Sequence, residues 1–144
     1  MRSRGKRPGI FLNFYRIPGT AGQLQIIMKK IYHLSTCDTC KKVLAEIDPP
    51  SSFILQDIKE TPVTEEQLEE MYNFTNSYEA LFSKRARLYK EKGLKNEDLD
   101  EEAYKNLILE HYTFLKRPVI INNDKIFIGN SAKNVEAAKK SMNE

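Results

Sequence analysis

Residues 29–47, KKIYHLSTCDTCKKVLAEI, decide the fold. The stretch opens on a short apolar and aromatic run, KKIYHLS, with strand character that stops at Ser35-Thr36. The period then changes: Cys40, Val43, Leu44 and Ile47 share one helical face, Lys41, Lys42 and Glu46 look outward, and Pro49-Pro50 ends the helix. SSFILQDIKE follows as a second, mostly buried strand centred on Phe53 to Ile58. A strand, a helix and a strand in this order form a right-handed crossover, with the two strands parallel.

Downstream, Thr64 with Gln67 makes a capping box that opens a helix through about Tyr72. The spacing predicts a further helix from about Tyr78 to Glu91, stopping near Gly93. Another starts after Asp100, with Tyr104, Leu107, Ile108, His111 and Tyr112 on one face. RPVII and KIFIG read as two strands of a hairpin turned at Asn122-Asn123-Asp124, and a last helix, capped at Asn130 or Ser131, carries Val135, Ala138 and Met142 on one stripe. The order β-α-β, helical block, β-β-α describes an α/β domain: a four-stranded mixed sheet covered by helices, with a helical insertion over about 62–113.

Length and charge bound the function. The chain's 144 residues, 40% hydrophobic and 30% charged, suit one domain with a real core, and no apolar run is long enough to cross a bilayer. Residues 1–27 carry five of the 23 basic residues and no acid, which leaves 18 basic against 20 acidic residues in 28–144. That main body therefore lacks the charge of a direct nucleic-acid binder. The leader, interrupted by Pro8, Pro18 and glycines, is a poor secretory signal and reads as a flexible basic extension before a natural start at Met28. Two cysteines are too few for a secreted disulfide scaffold, and a cytoplasmic location is expected.

Cys37 and Cys40 stand where a parallel strand feeds a helix, the place where α/β sheets carry their sites. Cys37 lies at the helix start, where unpaired N–H groups and the positive end of the helix dipole favour thiolate, with Lys41 and Lys42 adding charge and Asp38 opposing it. Cys40, one turn further and on the apolar face, is shielded and suits a resolving thiol. Two ordinary core thiols are the alternative. Zinc is disfavoured, because a four-ligand site needs a second close pair and His33 and His111 are single and far apart. Pro118 either begins an edge strand or forms a cis bond beside the cysteine loop. In the second case Arg117 stands next to the thiolate and holds an anion, such as a glutathione carboxylate or an oxyanion. The basic stretch LFSKRARLYKEKGL, 81–94, reads as a solvated helix face that can also wall a cleft over Cys37.

Three stretches, IYHLSTCDTCKK, LFSKRARLYKEKGL and LKRPVIINNDKIFIGNS, together resemble the arsenate reductase family of thioredoxin-fold proteins, which includes glutaredoxin-linked arsenate reductases and the Spx transcriptional regulators. The resemblance implies a thioredoxin-like, glutaredoxin-like fold, Cys37 as nucleophile, and Arg117 before a cis-proline at Pro118. Two other arginines that bind arsenate in those enzymes have no counterpart: one position falls at Ser83, with Arg85 two residues on, and the other near Gly129. A thiol-disulfide oxidoreductase is thus expected rather than an arsenate reductase proper, with Cys37 and Cys40 as redox pair and Thr36, Arg85 and Pro118 around the substrate. No bound cofactor or metal is expected. Glutathione, glutaredoxin or thioredoxin would be the reductant, and a small thiol or a protein disulfide the substrate. The Spx resemblance implies an alternative, a redox-sensing regulator that binds the C-terminal domain of the RNA polymerase α subunit.

Overall fold

The computed structural model describes residues 28–143, together with the backbone of strands at 13–16 and 24–27. Those two strands, β1 (Asn13–Arg16) and β2 (Leu24–Ile27), pair antiparallel inside the segment read as a flexible extension, and the rest of that segment lies outside the described residues. The main body runs β3 (Lys29–His33), α1 (Asp38–Ile47), β4 (Ile54–Asp57), α2 (Glu65–Thr75), α3 (Arg87–Glu91) and α4 (Glu101–Glu110). It closes with β5 (Val119–Asn122), β6 (Lys125–Ile128) and α5 (Ala132–Met142).

The four main-body strands form one mixed sheet in the order β4-β3-β5-β6, with β3 and β4 parallel and the β3–β5 and β5–β6 pairs antiparallel. Alternation along β3 builds two cores. Ile31, with Ile120 opposite it, packs with Val43, Ile47, Val135 and Ala138 of α1 and α5, while Tyr32 faces Leu68, Met71, Phe82 and Phe114 on the other side. The central strand is thus covered on both faces by apolar side chains, and its C-terminal end delivers the chain to Cys37. Among the described residues no helix is long and apolar enough to cross a membrane.

Local signals set the boundaries. The capping box is formed, Thr64 Oγ1 accepting from the Gln67 N–H at 3.1 Å and the Gln67 side chain accepting from the Thr64 N–H at 3.1 Å. α1 ends at Asp48, in the left-handed region at φ 48°, directly before Pro49. The hairpin turns on Asn123 at φ 59°, whose N–H donates to the Met28 carbonyl at 2.7 Å and so ties the turn to the start of β3. Ser131 rather than Asn130 caps α5, accepting from the Asn134 N–H at 3.2 Å.

Two expectations need correction. β4 is an edge strand, so Leu55 stands 46% exposed and the segment is less buried than its composition suggests. The helix expected from Tyr78 to Glu91 is broken: a 3₁₀ turn at Glu79–Leu81 gives way to extended backbone at Phe82, which bridges to Leu115, and α-helix resumes only at Arg87. The break is imposed from afar. The Ser83 N–H donates to the Phe114 carbonyl at 2.7 Å and the Lys116 N–H to the Leu81 carbonyl at 2.8 Å. Phe82 is 1% exposed and packs its ring on Phe114, Tyr104 and Tyr89 at 5.1, 4.9 and 5.8 Å between centroids. Phe82→Ala is expected to cost about 3–5 kcal/mol through loss of apolar contact and the cavity left behind, measured as a lower midpoint in urea unfolding with little change in slope.

Candidate active site

Cys37 occupies the N-cap of α1 with extended backbone, φ −98° and ψ 116°. Its own N–H donates to the Leu34 carbonyl at 3.0 Å and its carbonyl accepts from the Lys41 N–H at 3.1 Å, so the loop is bonded on both sides of the thiol. Asp57 adds a second restraint, its Oδ1 accepting from the N–H groups of Ser35 and Lys59, each at 3.2 Å. The reactive position is therefore held between the ends of the two parallel strands.

The cysteines differ in environment. Partial burial pushes the Cys37 thiol up, but the Cys40 N–H, the Cys40 thiol, the Thr39 N–H and the Arg117 guanidinium together hold it below the ordinary thiol value. Cys37 makes no short capping hydrogen bond, so the N–H groups of the opening turn act on its sulfur as dipoles. Cys40 is fully buried, and that burial, joined by the negative charge on Cys37, pushes it up to about 11. Arg117 is a cation that acts on both thiols, while Lys41 lies 4.0 Å from Asp38, both side chains exposed, and Lys42 is exposed as well.

Arg117 precedes Pro118 through a cis peptide bond. Pro118 is buried, and its carbonyl accepts from the Gly129 N–H at 2.9 Å, so it begins an interior strand rather than an edge. Arg117 Nη1 donates to the carbonyls of Thr113 and Leu115 at 3.2 and 3.1 Å, while its Nε–H is buried with no partner among the described residues.

Cys37, Arg117 and Arg85 line one cavity of about 770 Å³. Glu79, Lys84 and Lys116 also line it, as do Gly129 to Ser131 at the start of α5. Four cationic side chains thus face one carboxylate, and that carboxylate is already bound to Lys84 at 2.7 Å. The balance favours an anionic occupant, whereas 28–144 as a whole carries more acid than base. Ser83 and Gly129 also line this cavity. Of the other expected substrate residues, Thr36 is exposed on the preceding turn and Pro118 is buried, and neither lines the space. Among the described residues no cluster of three His, Cys, Asp or Glu side chains is assembled that could hold a metal ion.

Residues 32–138 match the ArsC family across both the cysteine loop and the start of α5. The chain belongs to the ArsC family. It is 30% identical over 112 residues to an arsenate reductase of Neisseria meningitidis, covering 75% of this chain and 95% of that one. It is also 26% identical over 96 residues to the global transcriptional regulator Spx of Streptococcus agalactiae, covering 65% of this chain and 70% of the regulator. The solved arsenate reductase from Vibrio cholerae has the same thioredoxin-like fold, with TM-score 0.60 and 24% identity over 79% of this chain and 97% of that one.

The unlike environments of the two thiols give a direct test. In the reduced protein, iodoacetamide is expected to modify Cys37 first, with a rate that rises through a midpoint below the ordinary thiol value of about 8.5. Cys40 is expected to react more slowly and at higher pH than Cys37, because its burial persists after alkylation has removed the Cys37 charge, the two steps being resolved by mass spectrometry of the labelled peptides.

Proposed function

We propose that this ArsC-family chain is a thiol-disulfide oxidoreductase whose substrate is a small anionic disulfide or a mixed disulfide on a protein. The observation that carries the reading is the Cys37 thiol, at a helix start and held below its ordinary pKa, facing a cavity whose charged lining is four cations against one carboxylate. The Cys37 thiolate attacks one sulfur of the substrate disulfide, forming a mixed disulfide as the other sulfur leaves as thiolate and takes a proton from solvent. Cys40 then loses its proton and attacks the Cys37 sulfur, expelling the second substrate sulfur and leaving a Cys37–Cys40 disulfide. Two electrons have passed from the protein to the substrate. Two thiols of glutathione, or the dithiol of a glutaredoxin or thioredoxin, return them.

Arg117, which lines the cavity beside Cys37, supplies the charge that holds the anionic part of the substrate beside the sulfur under attack. Arg85 and Lys116 extend that charge along the cavity wall. No bound cofactor enters this cycle, because both electrons come from the thiols.

The experiment is a glutathione-coupled assay on a mixed disulfide of glutathione. Cys37→Ser is expected to abolish turnover, and Cys40→Ser, mixed with the substrate disulfide without glutathione, to stop at the mixed disulfide on Cys37. Full activity of Cys37→Ser would overturn the reading. The similarity to Spx supports a second reading, in which oxidation of the same pair changes affinity for the C-terminal domain of the RNA polymerase α subunit. A pull-down with that domain that differs between dithiothreitol and diamide, in a protein inactive in the coupled assay, would favour it.

A further inference from the structure

The chain reaches Arg117 through a 3₁₀ turn, Tyr112–Phe114, whose capping residue is His111. The Thr113 N–H donates to His111 Nδ1 at 3.1 Å, and Thr113 Oγ1 lies 2.8 Å from the same nitrogen. Nδ1 therefore acts as the acceptor that caps the turn, with the Thr113 hydroxyl beside it. The ring also stacks on Tyr112, 4.5 Å between centroids. Thr113 is therefore engaged on both sides, its N–H by His111 and its carbonyl by Arg117 Nη1 at 3.2 Å. The Leu115 carbonyl takes the second Nη1 hydrogen at 3.1 Å. Because the guanidinium is planar, fixing Nη1 at two carbonyls fixes where its other donors point.

We propose that His111 is a positioning residue for Arg117: by capping the turn, its Nδ1 sets the carbonyls that aim the guanidinium at the cavity of Cys37. His111 does not line that cavity and acts only through the turn. The inference rests on the reading of Cys37 as a thiolate nucleophile with Arg117 as its cation, and adds the residue that stands behind the pair. A purely structural cap would change stability when removed and leave the ionisation of Cys37 where it was. A positioning cap moves that ionisation even in a folded protein.

The test is the thiolate absorbance of Cys37 as a function of pH in the full reduced chain, for wild type, His111→Ala, His111→Asn, Arg117→Met and the His111→Ala/Arg117→Met double variant. Asparagine restores a short acceptor at the cap, and circular dichroism confirms folding. Should His111→Ala not fold, His111→Leu keeps the bulk without the acceptor and is read in the same way. Expected is an upward shift of the Cys37 midpoint in His111→Ala by about half a unit, about a threefold loss of thiolate below the midpoint. His111→Asn is expected to titrate like wild type, and the double variant like Arg117→Met. A midpoint moved by Arg117→Met but not by His111→Ala overturns the role of His111 while leaving the Cys37–Arg117 pairing intact. A midpoint moved by neither overturns both.

Discussion

The bridge between Phe82 and Leu115 is the contact on which the site depends. Its hydrogen bonds, Ser83 N–H to the Phe114 carbonyl and Lys116 N–H to the Leu81 carbonyl, stitch the helical insertion to the segment that leads into β5. On one side of the stitch stand Lys84 and Arg85, on the other Lys116 and Arg117, and all four face the cavity of Cys37. Without this pairing the two basic segments, some thirty positions apart in the chain, have no reason to converge. The aromatic packing beneath it, Phe82 on Phe114 and Tyr104, keeps the bridge out of water, where a single pair of backbone bonds would contribute little.

The residues that build the sheet were legible because their signals are local. Ile31 and Tyr32 alternate between two cores as the strand period demands, Cys40, Val43 and Ile47 are the buried face of α1, and Thr64 and Gln67 close their capping box within three residues. Extended backbone at Phe82 was not legible, because LFSKRARLYKEK has the composition of a helix and the bond that breaks it comes from Phe114. The edge position of β4 was hidden for a similar reason, since ILQD does not say which neighbour is missing.

The candidate site divides along the same line. Cys37 at a helix start and Cys40 one turn inside follow from spacing alone, whereas the place of Arg117 before Pro118 left an edge strand and a cis bond both open, and only the family resemblance pointed to the second. Arg85 reaches the cavity although no periodicity points it there, and Glu79 and Lys116 carry no sequence signal beyond their charge. His111 fell on the apolar face of a predicted helix. The chain leaves that helix at Glu110, which turns the ring from a packing residue into a cap. In each case the missing information was the tertiary partner rather than the residue type.

The electrostatics also give the proposed cycle a direction. In the reduced state Arg117 and the N–H groups of Thr39 and Cys40 favour charge on Cys37, and that charge raises the neighbouring thiol. Once Cys37 is bonded to a substrate sulfur that charge is gone, so the part of the upward push on Cys40 that comes from Cys37 disappears at the step where Cys40 must ionise, leaving burial alone to hold it up. Closing the Cys37–Cys40 disulfide then leaves the cations of the cavity without the thiolate that balanced them. In the proposed cycle an anionic reductant would therefore meet a more positive cavity in the oxidised protein than in the reduced one, which favours its entry at the step that needs it and its release as the thiolate returns.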